Sequence, residues 1–237
     1  MTVFAISDLH LSFANPKPMD VFGPQWKDHP QRIAENWDKI VSEDDVVLVA
    51  GDTSWAMRLT DAMPDLEYLA ARPGKKLLIR GNHDYWWSRQ ATTRIQRMID
   101  SSIILLQGTS TVMNGVGVAG TRGWRLEDYE LEGPKQQDEK IYHRELAYLR
   151  RALESLPEDV AVKVVMLHYP PFDLNLQPND FRYILEEFNV DILVYGHIHR
   201  GTGSYLQGNV GGINYHLASV DYTGFTPIEI VKCQDSV

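Results

Sequence analysis

Thr2-Val3-Phe4-Ala5-Ile6-Ser7-Asp8-Leu9-His10 is an apolar, β-branched run that ends in a carboxylate and an imidazole two residues apart. A run of this length and composition reads as a strand buried on both faces, and the polar pair falls where the strand passes into a loop. If extended geometry persists past Ile6, the Asp8 and His10 side chains point the same way. Alone, the pair reads equally as a surface carboxylate near a hydrogen-bonded histidine, so its meaning depends on whether the device recurs.

It does recur. Strand-like runs at 46–50, 76–79, 162–167 and 192–195 hand on to Gly51-Asp52, Gly81-Asn82-His83-Asp84, His168 and Gly196-His197-Ile198-His199. In three of these a glycine immediately precedes the polar group, and the missing Cβ permits a sharp turn and a close backbone approach. Five of the 8 histidines fall in these segments, leaving His29, His143 and His216 with no partner pattern.

Segments of helical period lie between and after the runs, at 31–41, 64–71, 88–100, 139–156 and 179–188. The alternation predicts a largely parallel sheet covered by helices. Ile141, Leu146, Leu149, Leu153 and Leu156 track one helix face and read as packing. The stretch 103–106 is also strand-sized, and 112–120, 205–216 and 226–232 read as antiparallel strands and turns of a second sheet. The charged segment 127–139, with Gly133-Pro134, reads as an exposed loop leading into a helix, or as a mobile cap.

At 237 residues the chain suits one large α/β domain, 1–237, with a cap or insertion around 122–158. Its formal net charge of -9, from 23 basic and 32 acidic residues, disfavours a broad nucleic-acid or anionic-membrane surface and favours a small substrate. No apolar run reaches the roughly 20 residues of a membrane span. Met1 leads directly into the first strand with no room for a signal peptide, and one cysteine, Cys233, gives no intramolecular disulfide, so a cytoplasmic location is expected. Nothing in the composition indicates an oligomeric state.

Carboxylates, imidazoles and one amide oxygen form a mixed N/O donor set suited to divalent metals, and a carboxylate such as Asp52 can bridge two ions. Two ions roughly 4 Å apart can activate a shared water and hold phosphoryl oxygens, which is phosphoester hydrolysis. At this point the chain resembles the calcineurin-like metallophosphoesterase superfamily, whose pattern is Asp-x-His, Gly-Asp, Gly-Asn-His-Asp/Glu, His and Gly-His-x-His, all present here in order over about residues 3–200. The resemblance implies a four-layer α/β/β/α sandwich of two mixed sheets flanked by helices. It implies that Asp8, His10 and His199 bind one metal, that Asn82, His168 and His197 bind another, and that Asp52 bridges. A bridging hydroxide would be the nucleophile, His83 would contact the phosphate and protonate the leaving oxygen, and Asp84 would orient the His83 ring and favour its imidazolium. Manganese, iron, zinc and magnesium all suit the set.

Several branches of the superfamily stay open: cyclic-nucleotide phosphodiesterases, nucleotide pyrophosphatases, phosphomonoesterases including protein phosphatases, nucleases, and non-catalytic metal-stabilised binding modules. The Ser-Asp-Leu-His-Leu start is similar to that of lipid-precursor hydrolases, but those carry Gly-Asn-Arg-Asp where this chain has His83. A phosphodiester, with a nucleotide-like organic group among the options, is favoured because no dense basic clamp for a dianionic monoester stands beside the motifs. Asn82, His83, Tyr85, Trp86, Arg122, Trp124 and Arg200 are the candidate substrate contacts. For the aromatics packing competes with stacking, and for the arginines a salt bridge competes with a phosphate clamp. The proline-rich stretch 15–30, with Trp26, reads as a long irregular loop that either lines the pocket or merely connects.

Overall fold

The five apolar runs preceding the candidate ligands are strands in the computed structural model, which describes residues 1–125 and 135–233. Residues 126–134, within the 122–158 region expected as a cap or insertion, lie outside the described residues, and 135–139, expected as the end of an exposed 127–139 loop, are already helical. The first sheet has the order β11-β1-β2-β3-β4, where β1 is Thr2–Ile6, β2 Val46–Val49, β3 Lys75–Ile79, β4 Ile103–Leu106 and β11 Ile228–Lys232. The second has the order β5-β6-β7-β8-β10-β9, comprising Thr109–Met113, Val116–Thr121, Val162–Leu167, Ile192–Tyr195, Ile213–Leu217 and Gly208–Val210. Strands β1 to β4 run parallel, as do β6, β7, β8 and β10, while β11, β5 and β9 close sheet edges antiparallel.

Strand alternation explains the layering. Val3, Ala5, Leu48 and Leu77 face Val118, Val164, Met166 and Val194 across the two sheets, all fully buried. Their neighbours Phe4, Ile6 and Val47 point the other way, onto α1 (His29–Ile40) and α2 (Leu59–Ala70). On the far side Val165, Leu167 and Leu193 pack against α4 (Lys135–Glu154) and α5 (Asp180–Glu187). Because both faces of both sheets are covered, the central strands are apolar through most of their length, with Lys75, Lys76 and Lys163 confined to the first two positions of β3 and β7, which is the pattern read from the sequence. The architecture is the four-layer α/β/β/α sandwich.

Three local expectations change. The 226–232 strand joins the first sheet, pairing Val3 with Val231, and the two Gly-rich hairpins flank β7 and β8 in a mixed sheet. Helix α2 begins at Leu59 and runs through Pro64; burial of Ala62, Leu66 and Leu69 outweighs the one backbone bond lost toward the exposed Thr60. The helix expected over 88–100 shrinks to a 3-10 turn, Arg89–Ala91, and α3, Thr92–Gln96. Gln96 ends it by pairing with the edge strand β4, donating to the Ile103 carbonyl and accepting from the Leu105 N–H, each at 2.8 Å.

Candidate functional site

Asp8 follows β1, Asp52 follows β2, the segment Asn82-His83-Asp84 follows β3, His168 follows β7 and His197 follows β8. Parallel strands all deliver their carboxyl ends to one edge, so five segments spread over 190 residues of chain meet there. The extended geometry expected past Ile6 does not persist: Asp8 and His10 have φ of 58° and 49°, and Asp52 and His197 have 52° and 71°. These left-handed turns aim the side chains into the gap between the sheets, at a conformational cost that the surrounding packing must meet. Gly81 and Gly196 are needed for close approach, not for φ. A Cβ on Gly81 would stand 2.0 Å from Asp52 Oδ1, and one on Gly196 2.5 Å from Asp8 Oδ2.

Each donor is fixed from behind. Asp8 Oδ2 accepts from Ser7 Oγ at 2.5 Å and Ser219 Oγ at 2.9 Å, and the His197 N–H reaches the same carboxylate. Asp52 Oδ1 accepts from the His83 N–H at 2.8 Å and faces His168 Nε2 at 3.6 Å, while Oδ2 faces His10 and His83 Nε2 at 3.9 Å each. His199 Nδ1 sits 3.2 Å from Asp221 Oδ1, which leaves Nε2 pointing at Asp8 Oδ1 and at His10 Nε2.

His168 decides how the cluster is to be read. Its Nδ1 lies 3.0 Å from the Ala50 carbonyl, which can only accept, so in the neutral ring the proton is on Nδ1 and Nε2 presents a bare lone pair. That lone pair faces Asn82 Oδ1 at 2.7 Å, and the same Oδ1 is 3.0 Å from His197 Nδ1. Two acceptors at 2.7 Å with no proton between them repel. Burial and the neighbouring imidazoles drive His168 and His10 well below the ordinary histidine range. Burial, then the charges of Asp8 and Asp84, push Asp52 well above the carboxylate range, and burial raises Asp8 despite its serine and histidine partners. A cation among these atoms removes both penalties, because lone pairs and carboxylates then point at positive charge. Among the described residues two groups qualify on distance: Asp8, His10 and His199, and Asp8, Asp52 and His168, with ligand atoms within 4.8 Å of one another. The donor set fits a divalent metal.

A family model described as calcineurin-like phosphoesterase matches residues 1–201. The chain belongs to the calcineurin-like phosphoesterase family. A curated relative, the Gene 66 protein of Mycobacterium phage D29, is 44% identical over 84 residues, 35% of this chain and 40% of that protein. The chain thus spans about 40% of the length of the curated relatives it matches. Among solved structures, phosphopantetheinyl hydrolase from Mycobacterium tuberculosis has a TM-score of 0.60 at 17% identity, covering 100% of this chain and 98% of its own. A putative 5′-nucleotidase from Staphylococcus aureus has a TM-score of 0.55 at 16% identity, covering 91% of this chain and 48% of its own. At such identities the likeness is one of fold.

Within this calcineurin-like phosphoesterase, Asp84 differs from its expected part. Its carboxylate accepts from the Thr53, Ser54 and Gly81 N–H groups and from Trp86 Nε1, at 2.8 to 3.0 Å. It therefore ties the Asp52 loop to the Asn82 loop and does not orient the His83 ring. His83 instead tilts against Trp55 at 4.1 Å between ring centroids, with Nδ1 3.5 Å from the Tyr85 hydroxyl. Burial, followed by the neighbouring His197, His199 and Lys17, lowers His83 to about 4, the opposite of a favoured imidazolium.

A cavity of about 310 Å³ opens beside the cluster, with His10, His83 and His199 on its floor and Phe22, Trp26 and Trp55 in its walls. The stretch 15–30 lines it, as two 3-10 turns, Met19–Phe22 and Pro24–Trp26. Of the predicted substrate contacts, Arg200 lines the cavity and Tyr85 is exposed beside His83. Trp86 and Trp124 are core residues, only 4% and 6% exposed, because each follows a loop turned back onto a helix-covered sheet face; Arg122 is buried over the Trp124 ring. Sequence reasoning missed Asp221, Ser219 and Phe22. The first two follow β10, with Ala218 donating to Tyr195 and Ser219 bridging to Ser7, a tertiary arrangement with no local signature. Among the described residues no helix is long and apolar enough to cross a membrane.

Proposed function

We propose that this chain is a metal-dependent phosphohydrolase with a dinuclear site, acting on a small phosphorylated substrate, with a phosphodiester favoured over a monoester. The observation that carries the reading is the inward convergence of Asn82 Oδ1, His168 Nε2 and His197 Nδ1 beside two buried carboxylates, with no proton to separate the first two. Asp8, His10 and His199 would hold one ion, Asn82, His168 and His197 the other, and Asp52, whose two oxygens face different sides, would bridge. Divalent ions bound there supply Lewis acidity toward the phosphoryl oxygens and an activated water. Manganese, iron, zinc and magnesium are all compatible with the donors.

The chain's own residues do the rest. Ser7 and Ser219 hold the Asp8 carboxylate in one orientation, and the Ala50 carbonyl holds the His168 tautomer. His83, partly exposed at the cavity floor, stands where the negative charge of a bound phosphoester would offset the burial that keeps its ring neutral. It could then hand a proton to the leaving oxygen, and Trp55 packs against its ring. The diester preference rests on the cavity lining: among its described residues Arg200 is the one lysine or arginine, and a dianionic monoester draws on more cationic contacts.

The test is hydrolysis of bis-p-nitrophenyl phosphate beside p-nitrophenyl phosphate by metal-reconstituted wild type and His83→Ala, with bound metal counted in the same samples. Diester turnover with two ions per chain, lost in the variant, is the expected result. Preference for the monoester makes the protein a phosphatase, and full metal content with no turnover of either ester makes it a binding module.

A further inference from the structure

The cavity is much larger than a phosphoryl group needs, and its walls differ in kind from its floor. Phe22 and Val21 form the tip of the strap 19–26 and are 65% and 72% exposed, although large apolar side chains normally bury. The strap is anchored at both ends. Met19 is buried and its Sδ accepts from Trp55 Nε1 at 3.3 Å, while Trp26 is buried with its ring edge-on to Phe225 at 5.3 Å. Between the anchors Gly23 takes φ 131° and the Gln25 carbonyl accepts from Arg32, while the Val21 and Phe22 side chains at the tip stay exposed. Trp55 already stacks on His10 and carries the Lys17 ammonium 4.6 Å from its ring, so little of its face is left for a ligand. Phe22 is then the aromatic surface at this cavity that packing leaves uncovered.

We infer that the cavity is the subsite for the organic group of the ester, that it selects groups carrying an apolar ring next to the phosphoryl group, and that Phe22 sets that selection. The inference rests on the phosphohydrolase reading for the position of the phosphoryl group, over His10, His83 and His199 at the cavity floor. A ring entering from that floor comes among Trp26, Trp55 and the exposed ring of Phe22, where the offset and edge-on contacts that aromatic pairs prefer can form. A methyl group in the same place leaves Phe22 in water.

The experiment is calorimetric titration of the manganese-loaded full chain with phenyl phosphate and with methyl phosphate, for wild type, Phe22→Ala and Phe22→Tyr. Wild type is expected to bind phenyl phosphate about tenfold more tightly, the scale of burying one ring face. Phe22→Ala should bring the two affinities within about twofold of each other, and Phe22→Tyr, which keeps the ring, should restore the preference. Equal binding of the two phosphates by wild type, no binding of either, or an unchanged preference in Phe22→Ala overturns the subsite. The titrations are repeated with phenylphosphonate and methylphosphonate, whose P–C bond a phosphoester hydrolase does not cleave, so binding is read without turnover and the two readings fail separately. A protein that prefers phenyl phosphate but cleaves no ester keeps the subsite and loses the hydrolase reading, and one that hydrolyses phenyl and methyl esters without preference does the reverse.

Discussion

Asp8, Asp52 and His168 expose at most 2% of their surface, and each is gripped by groups from a different strand end. One cavity wall away, Val21 and Phe22 are 72% and 65% exposed on a strap joined to the body through Met19 and Trp26. The two regions answer different physical demands. Ligand atoms must be held to within a fraction of an ångström, so they sit at the ends of buried parallel strands, in strained turns that the sandwich over-determines. A wall for an organic group needs apolar area and clearance, and an irregular loop provides both.

The sharpest way to break that contrast is to disturb the rigid region at its centre. Asp52→Asn is expected to lose bound metal and turnover together, because a neutral amide cannot serve both sides of the cluster. His83→Ala should retain the metal and lose about 10²- to 10⁴-fold in kcat, the span usual for removing a general acid. Metal analysis and kcat on the same preparations separate the two. Equal metal loss in both variants would undo the division of roles between Asp52 and His83.

Gly196→Ala adds one methyl where Asp8 Oδ2 and Ser7 Oγ would lie 2.5 and 2.6 Å away. It should lower stability by about 1–3 kcal/mol as an overpacking change and reduce metal content with it, read by thermal melting before and after chelation. Next in size is Asp221→Asn, which keeps the shape but weakens the grip on His199 Nδ1. Metal affinity, measured by competition with a chromogenic chelator, should fall about 10- to 100-fold, as for other groups that orient a metal-binding histidine. Unchanged affinity would mean that Asp221 serves the Arg200 N–H alone.

How far the sequence could be read follows the same division. The strand ends were legible because each buried strand is apolar toward its carboxyl end and each candidate ligand lies within a few residues of that end, so residue type and local pattern sufficed. The sandwich followed from the family pattern, while the membership of the 226–232 strand in the first sheet depends on pairing with β1 across almost the whole chain. The supports were hidden for that reason. Ser219 and Asp221 lie in an ordinary polar turn, and only the Ser7–Ser219 bridge brings them to Asp8 and His199. Asp84 sits beside His83 in sequence yet turns toward the Asp52 loop, because two donors from that loop and two from Gly81 and Trp86 outcompete one ring. Tryptophans near the motifs divided by burial, which composition does not encode: Trp86 packs in the core while Trp55 walls the cavity.

The smallest expected effect sharpens the comparison most directly, because it tests the strap where the protein should not notice. Phe22→Ala removes a ring that is 65% exposed, so little buried area is lost and the urea midpoint should correspond to a change within about 0.5 kcal/mol. Leu48→Ala cuts fewer atoms, but Leu48 is fully buried between the sheets, and its loss leaves a cavity expected to cost about 2–5 kcal/mol. The ordering of the two, reversed from the number of atoms removed, follows only if the strap is attached through its anchors and the sandwich is packed throughout. Should Phe22→Ala destabilise by more than about 1 kcal/mol, the Phe22 ring would be a packing element in solution, the strap would belong with the rigid region, and its exposed face would need no ligand to explain it.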